Sequence, residues 1–250
     1  KDWSRGLGDV YKRQAQEHLI NEITKVNKNC AVVVVAGSAV TMDNWLDNAP
    51  AVLFAWYPGE QGGNALADVL FGKENPAGRL PITFAKSADQ YPEDFYSLTD
   101  EIEYKEGVFV GYRFFDKHNN EVLFPFGYGL SYTTFSYSNL KISVKQSGEA
   151  HFVSVTADIE NTGSRDGEEV VQLYVHDIEA KVDRPEKELK GFKRISLKSG
   201  EKRTIEFMLG DEAFAFWDER KKQWTVEAGD FNIGLGSSSK EILLEEIIRL

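Results

Sequence analysis

The 250-residue sequence has one cysteine, two methionines, seven prolines and no excess of basic side chains. Each shortage removes a class of protein. A lone cysteine, Cys30, excludes an intrachain disulfide framework. It sits at the start of an apolar run, where a small buried side chain is the ordinary reading. A nucleophile would need a base or a helix N-terminus beside it, and the sequence offers neither. The four histidines, His18, His118, His151 and His176, are scattered, with no pair at metal-ligand spacing. Lys and Arg number 29 against 40 Asp and Glu, a net charge of −11. That balance argues against nucleic acid or an anionic membrane as partner, because both need a basic face. The longest apolar run, "AVVVVAG", is strand-sized and far short of the roughly 18–20 residues of a membrane helix. Expected, therefore, are no metal, no organic cofactor, no nucleic-acid partner and no membrane span.

What remains is the composition of a soluble globular protein, 42% hydrophobic and 28% charged, long enough for one large domain or two ordinary ones. The hydrophobic period changes along the chain. Leu19, Ile20, Ile23 and Val26 recur at helical spacing and predict a helix over 15–28. Ala31–Ala36 and residues 51–57 are unbroken apolar runs, the pattern of parallel strands covered on both faces. A helix is expected over 64–71, with Gly72 at its C-terminal cap, followed by a turn and a short strand in "NPAGRLPITF". Residues 15–88 thus read as a partial α/β domain, part of a doubly wound sheet. Residues 89–135 are rich in aromatics and turn residues. They read as an irregular connector with one strand near Val108–Tyr112.

From residue 136 the period becomes two. Val153, Val155, Ala157 and Ile159 alternate with polar residues, as do Val171, Leu173 and Val175, then Ile205, Phe207 and Leu209, then Trp224 and Val226, and then Phe231, Ile233 and Leu235. About seven such strands separated by "NTGSRDG", "KSGEK", "DERKKQ" and "EAGD" predict an all-β immunoglobulin-like sandwich over 136–250.

Six segments carry a resemblance in order along the chain: "WYPGEQGGNALADVLFGKENPAGRLPITF", "EGVFVGYRFFD", "FPFGYGLSYTTF", "NTGSRDGEEVVQLYV", "RPEKELKGFKRISLKSGE" and "WTVEAGDFNIGLGSSS". Together they resemble the C-terminal part of glycoside hydrolase family three, the β-glucosidase and β-xylosidase group. The resemblance implies that 15–88 is the C-terminal half of a doubly wound α/β sandwich and that 136–250 is a fibronectin type III-like domain. It also implies a parent protein that removes terminal β-linked sugars from oligosaccharides by retaining, exo-acting hydrolysis, without a cofactor. The nucleophilic Asp of that reaction belongs to a barrel and the acid/base Glu to an upstream loop, so no catalytic residue is assigned and the chain is expected to be inactive by itself. The compartment implied is the periplasm or the cell exterior. A stand-alone carbohydrate- or protein-binding module is the alternative, since a sandwich does not fix function.

Four residues are candidates for substrate contact. Trp56 and Tyr57 end a buried strand, where ligands of open α/β sheets gather, although packing is the commoner use of such aromatics. Tyr112 and Arg113 are the second pair. Gly59, Gly62 and Gly63 read as a tight strand-to-helix turn and Glu60 as a carboxylate in the first helical turn. Glu103, Glu106 and Asp116 lie in an aromatic segment, and a structural role is the expectation there, with Glu106 or Asp116 pairing with Arg113 or capping backbone. Finally, residues 1–14, "KDWSRGLGDVYKRQ", lack any apolar period. From Ser4 to Gln14 they are similar to a translated transposase-type sequencing adapter, and they are set aside from the fold as non-native.

Overall fold

The computed structural model describes residues 14–91, 104–148 and 150–250. Residues 1–13 of the adapter-like stretch and Glu103 lie outside them. The described residues form two compact units that interleave along the chain. The first takes the described residues within 1–74, 82–105 and 120–124, the second those within 75–81, 106–119 and 125–250.

The first unit begins with helix α1 (Gln14–Val26), as the apolar spacing predicts. Its polar edge is tied to the loop that follows the first strand. Asn21 Nδ2 donates to the Asn44 carbonyl at 3.2 Å, and Asn44 Nδ2 donates to Glu17 Oε2 at 3.0 Å. Strands β1 (Val32–Val34) and β2 (Val52–Phe54) pair in parallel, Val33 opposite Leu53. Both are shorter than their apolar runs. The crossover between them buries Met42 and Trp45. Helix α2 (Gly62–Leu70) follows. Strand β3 (Phe84–Ala85) then pairs antiparallel with β4 (Val122–Phe124), a partner that the sequence reading left inside the connector.

The second unit corrects the expected strand at Val108–Tyr112. Phe109 is buried while Val108 and Val110 are exposed, so the alternation is real but only three residues long. Gly111 then turns to φ +58° and caps helix α3 (Tyr112–Lys117), its carbonyl accepting from Phe114 and Phe115. Burial of Phe115 and Asp116 holds a helix that intrinsic preference for "YRFF" does not favour.

The rest of the unit is the sandwich. Its long strands are β5 (Phe135–Ser147), β6 (Ala150–Asn161), β7 (Gly167–Asp177), β8 (Glu188–Leu197) and β9 (Lys202–Leu209). A short hairpin comes next, β10 (Phe216–Asp218) and β11 (Gln223–Thr225), followed by β12 (Asp230–Gly236) and β13 (Ile242–Arg249). One sheet runs β5-β6-β9 and the other β13-β12-β7-β8. Their facing residues, among them Val155, Ile159, Leu173, Phe207, Phe231 and Ile233, are buried in one core, as the period of two predicts. Trp224 is the exception. It does not enter that core but stands 69% exposed on the β10–β11 hairpin. Residues 75–81 join this unit through a nearly buried ion pair, Arg79 Nη2 to both Glu169 oxygens at 3.0 Å.

Candidate functional site

Parallel strands β1 and β2 end side by side, and the first candidate pair sits just past that end. The Ala55 amide donates to the Val34 carbonyl at 2.8 Å, extending the ladder by one step. Trp56 then takes φ +50°, a backbone state that costs a non-glycine residue about 1–3 kcal/mol. Its ring is fixed by edge contacts with Phe54 at 4.7 Å and Phe84 at 6.4 Å. The turn at Trp56 delivers Tyr57 to the surface, 80% exposed. The Tyr57 ring lies over Gly37 at the end of β1, and a Cβ there would meet the tyrosine oxygen at 2.4 Å. So a strained tryptophan and a side-chain-free neighbour together present an aromatic face beyond the carboxyl ends of the strands, the usual ligand position in such sheets.

The chain re-enters a helix through a turn at Gly59, φ +70°, whose carbonyl accepts from Gly62 at 3.2 Å. Gly62 is buried against the Pro58 ring at 2.8 Å from an added Cβ, whereas Gly63 faces open space. Glu60 falls one residue before the N-cap, Gln61, rather than in the first helical turn, because it lies inside the turn that the Gly62 amide closes on the Gly59 carbonyl.

Tyr112 and Arg113 belong to the second unit and open α3. The Tyr112 hydroxyl accepts from the Leu189 amide at 2.8 Å, and its ring stacks on Phe126 at 5.0 Å. Next to it, burial pushes the Tyr174 hydroxyl well above the ordinary tyrosine range, and it donates to Gln172 Oε1 at 2.6 Å. Arg113 pairs with Glu188 at 3.1 Å, not with Asp116 or Glu106. Glu188 also receives Arg184 and Lys190, each at 3.3 Å. Asp116 points the other way on α3 and is buried between Lys187 at 2.8 Å and Lys240 at 2.6 Å. Tyr112 and Arg113 therefore fasten α3 to the start of β8. The two candidate pairs fall in different units, and each is a separate candidate.

No group of three or more His, Cys, Asp or Glu side chains set to hold a metal ion occurs among the described residues. No described helix is long and apolar enough to cross a membrane. The buried carboxylates found there, Asp116, Glu169 and Asp177, are all ion-paired with lysine or arginine. Sequence reasoning missed one constellation, the His151–Asp211 pair beside Trp224. Residues 60 positions apart in the chain give no local signal of their meeting.

Residues 7–132 match the model of the glycosyl hydrolase family 3 C-terminal domain, and residues 169–239 match that of the fibronectin type III-like domain. Among curated relatives, the thermostable beta-glucosidase B of Acetivibrio thermocellus is 44% identical over 258 residues, covering 98% of this chain and 34% of that protein. An exo-alpha-(1->6)-L-arabinopyranosidase of Bifidobacterium breve is 41% identical over 226 residues, 90% of this chain and 30% of that one. Among solved structures, the crystal structure of the GH3 beta-glucosidase of Bifidobacterium adolescentis superposes with a TM-score of 0.91 at 39% identity, covering 95% of this chain and 35% of its own. The chain spans about a third of the length of the curated relatives it matches.

Proposed function

Because the chain belongs to glycosyl hydrolase family 3, carrying that family's C-terminal domain and a fibronectin type III-like domain, we propose that the whole protein is a retaining, exo-acting β-glycosidase and that this chain is its C-terminal part. The observation that carries the reading is the 44% identity to a beta-glucosidase over 98% of the chain. Retaining hydrolysis needs a carboxylate nucleophile and a carboxylic acid about 5–5.5 Å apart. The acid must sit where burial keeps it protonated. The buried carboxylates among the described residues are neutralised by cations instead, which suits bracing and not proton donation. In this reading the chain contributes Trp56 and Tyr57 as an aromatic wall for a sugar ring and supplies no catalytic residue. The similar identity to an arabinopyranosidase leaves the class of substrate at terminal pyranosides of oligosaccharides, with β-glucosides first.

A chimera tests this. Residues 15–250 replace the matching C-terminal third of the A. thermocellus enzyme, and turnover of an aryl β-glucoside is measured beside that of the chain by itself. Turnover is expected in the chimera and at buffer level in the chain. Hydrolysis by the chain itself, or a folded chimera without turnover, contradicts the reading.

A further inference from the structure

The β10–β11 hairpin carries two tryptophans outside any core. Trp217 and Trp224 stand opposite each other across the ladder, their rings 5.8 Å apart and edge to face at 74°. Trp217 is 49% exposed and Trp224 69%. The edge contact holds the Trp224 ring in one orientation, so little side-chain freedom is left for a ligand to freeze.

Trp224 walls an open cavity of about 700 Å³, whose lining includes His151, Asp211, Glu212, Gln223 and Thr225. That volume lies in the range of small-molecule sites, roughly 300–1,000 Å³. The His151 amide and Nδ1 both donate to Asp211 Oδ1, at 3.1 and 2.9 Å. This orients the imidazole and occupies one carboxylate oxygen. Asp211 Oδ2 and His151 Nε2 then remain without a protein partner among the described residues. The acidic wall is also held from behind. Buried Arg184 is paired with Asp177 at 2.9 Å and donates to the carbonyls of Phe214 at 3.1 Å and Ala215 at 3.5 Å, at the end of the Asp211–Ala215 turn.

A fixed indole face beside converging donors and acceptors suits a ligand that is apolar on one face and hydroxylated around its rim. Two carboxylates and the lack of any Lys or Arg in the lining disfavour an anion. A quaternary amine would use the indole and a carboxylate but leave Gln223 idle. We propose that this cavity binds a pyranose ring of an oligosaccharide, its C–H face on Trp224 and its hydroxyls shared among Asp211, His151 and Gln223. This goes beyond the hydrolytic reading and does not depend on it, since binding is measured with no turnover.

The test is calorimetric titration of the 250-residue chain with cellobiose and xylobiose, with choline as the competing probe. Saturable binding of at least one disaccharide is expected. Trp224→Ala is expected to weaken it about tenfold or more. Gln223→Ala weakens it less, and Phe192→Ala, at an exposed aromatic outside the cavity, leaves it unchanged. Both Trp224 and Gln223 are exposed side chains, so unchanged melting of the variants separates lost binding from lost fold. Three results overturn the proposal: no saturable binding of either disaccharide at millimolar concentration, binding indifferent to Trp224→Ala, or choline bound more tightly than both sugars at Trp224.

Discussion

The two units carry strands of similar apolar character and bury them very differently. In the sandwich, Val155, Ile159, Leu173 and Phe231 are sealed from water. In the α/β unit, every residue of β1 and β2 is only part-buried, although "VVV" and "VLF" are as apolar as any segment of the chain. Helix α1 likewise leaves Leu19, Ile23 and Val26 exposed. The difference lies in the layers each unit supplies. The second unit folds its alternating strands into two sheets that cover each other. A parallel pair needs cover on both faces, and an apolar run states that need without meeting it.

The widest gap between the units is expected in core truncations. Phe231 lies on β12 between β13 and β7 and meets Phe214 edge-on at 5.2 Å. Phe231→Ala should destabilise the sandwich by about 3–5 kcal/mol, the cost of lost burial plus a cavity that the two sheets cannot close. Leu53→Ala, in half-buried β2, should cost less than half of that, because water already reaches part of the side chain. Urea unfolding of both variants, with amide exchange read separately in β7 and β2, measures the two costs. Equal costs would show that the α/β unit is as well packed as the sandwich.

The same contrast sets how much the sequence revealed. Alternation is a local pattern that the sandwich satisfies within itself, so the buried set on β6, β7, β9 and β12 was legible residue by residue. Trp224 was misread because it keeps the alternating frame while its hairpin lies outside both sheets. Helix α3 was left inside the irregular connector, with Tyr112 alone given to a strand, because "YRFF" has no strong helix preference and is made helical by Gly111 at one end and buried Phe115 and Asp116 at the other. The position of Trp56 and Tyr57 just past β2 was legible from the end of an apolar run. The partners of Arg113 and Asp116 were not, since Glu188, Lys187 and Lys240 lie 71 to 124 residues away, in strands or loops that only the folded sheets bring near.

A smaller effect should be confined to the first unit. Helix α2 ends with Phe71 as its cap and Gly72 at φ +72°. The Gly72 amide donates to the Val69 carbonyl at 3.0 Å and the Lys73 amide to the Asp68 carbonyl at 2.8 Å, the paired bonds of a Schellman ending. Gly72→Ala forces a Cβ into the left-handed region and should cost about 1–2 kcal/mol. Faster amide exchange in α2 with no change in β6 or β7 is the expected outcome. Matching losses in both units would mean that they unfold together, and the contrast drawn above would not extend to cooperativity.

The smallest effect is the most informative about cover. Val26, at the end of α1, is 87% exposed, so Val26→Ser removes little buried area and exchanges two residues of similar helix preference. Its cost should stay within about 0.5 kcal/mol, the usual range for surface substitutions. Thermal melting of the dilute chain checks this, with sedimentation of the same samples to fix the oligomeric state. A loss well above that range would mean that Val26 is buried in solution. If the loss grows with protein concentration, a second copy of the chain provides the cover; if it is independent of concentration, α1 packs more closely within the chain than its exposure indicates.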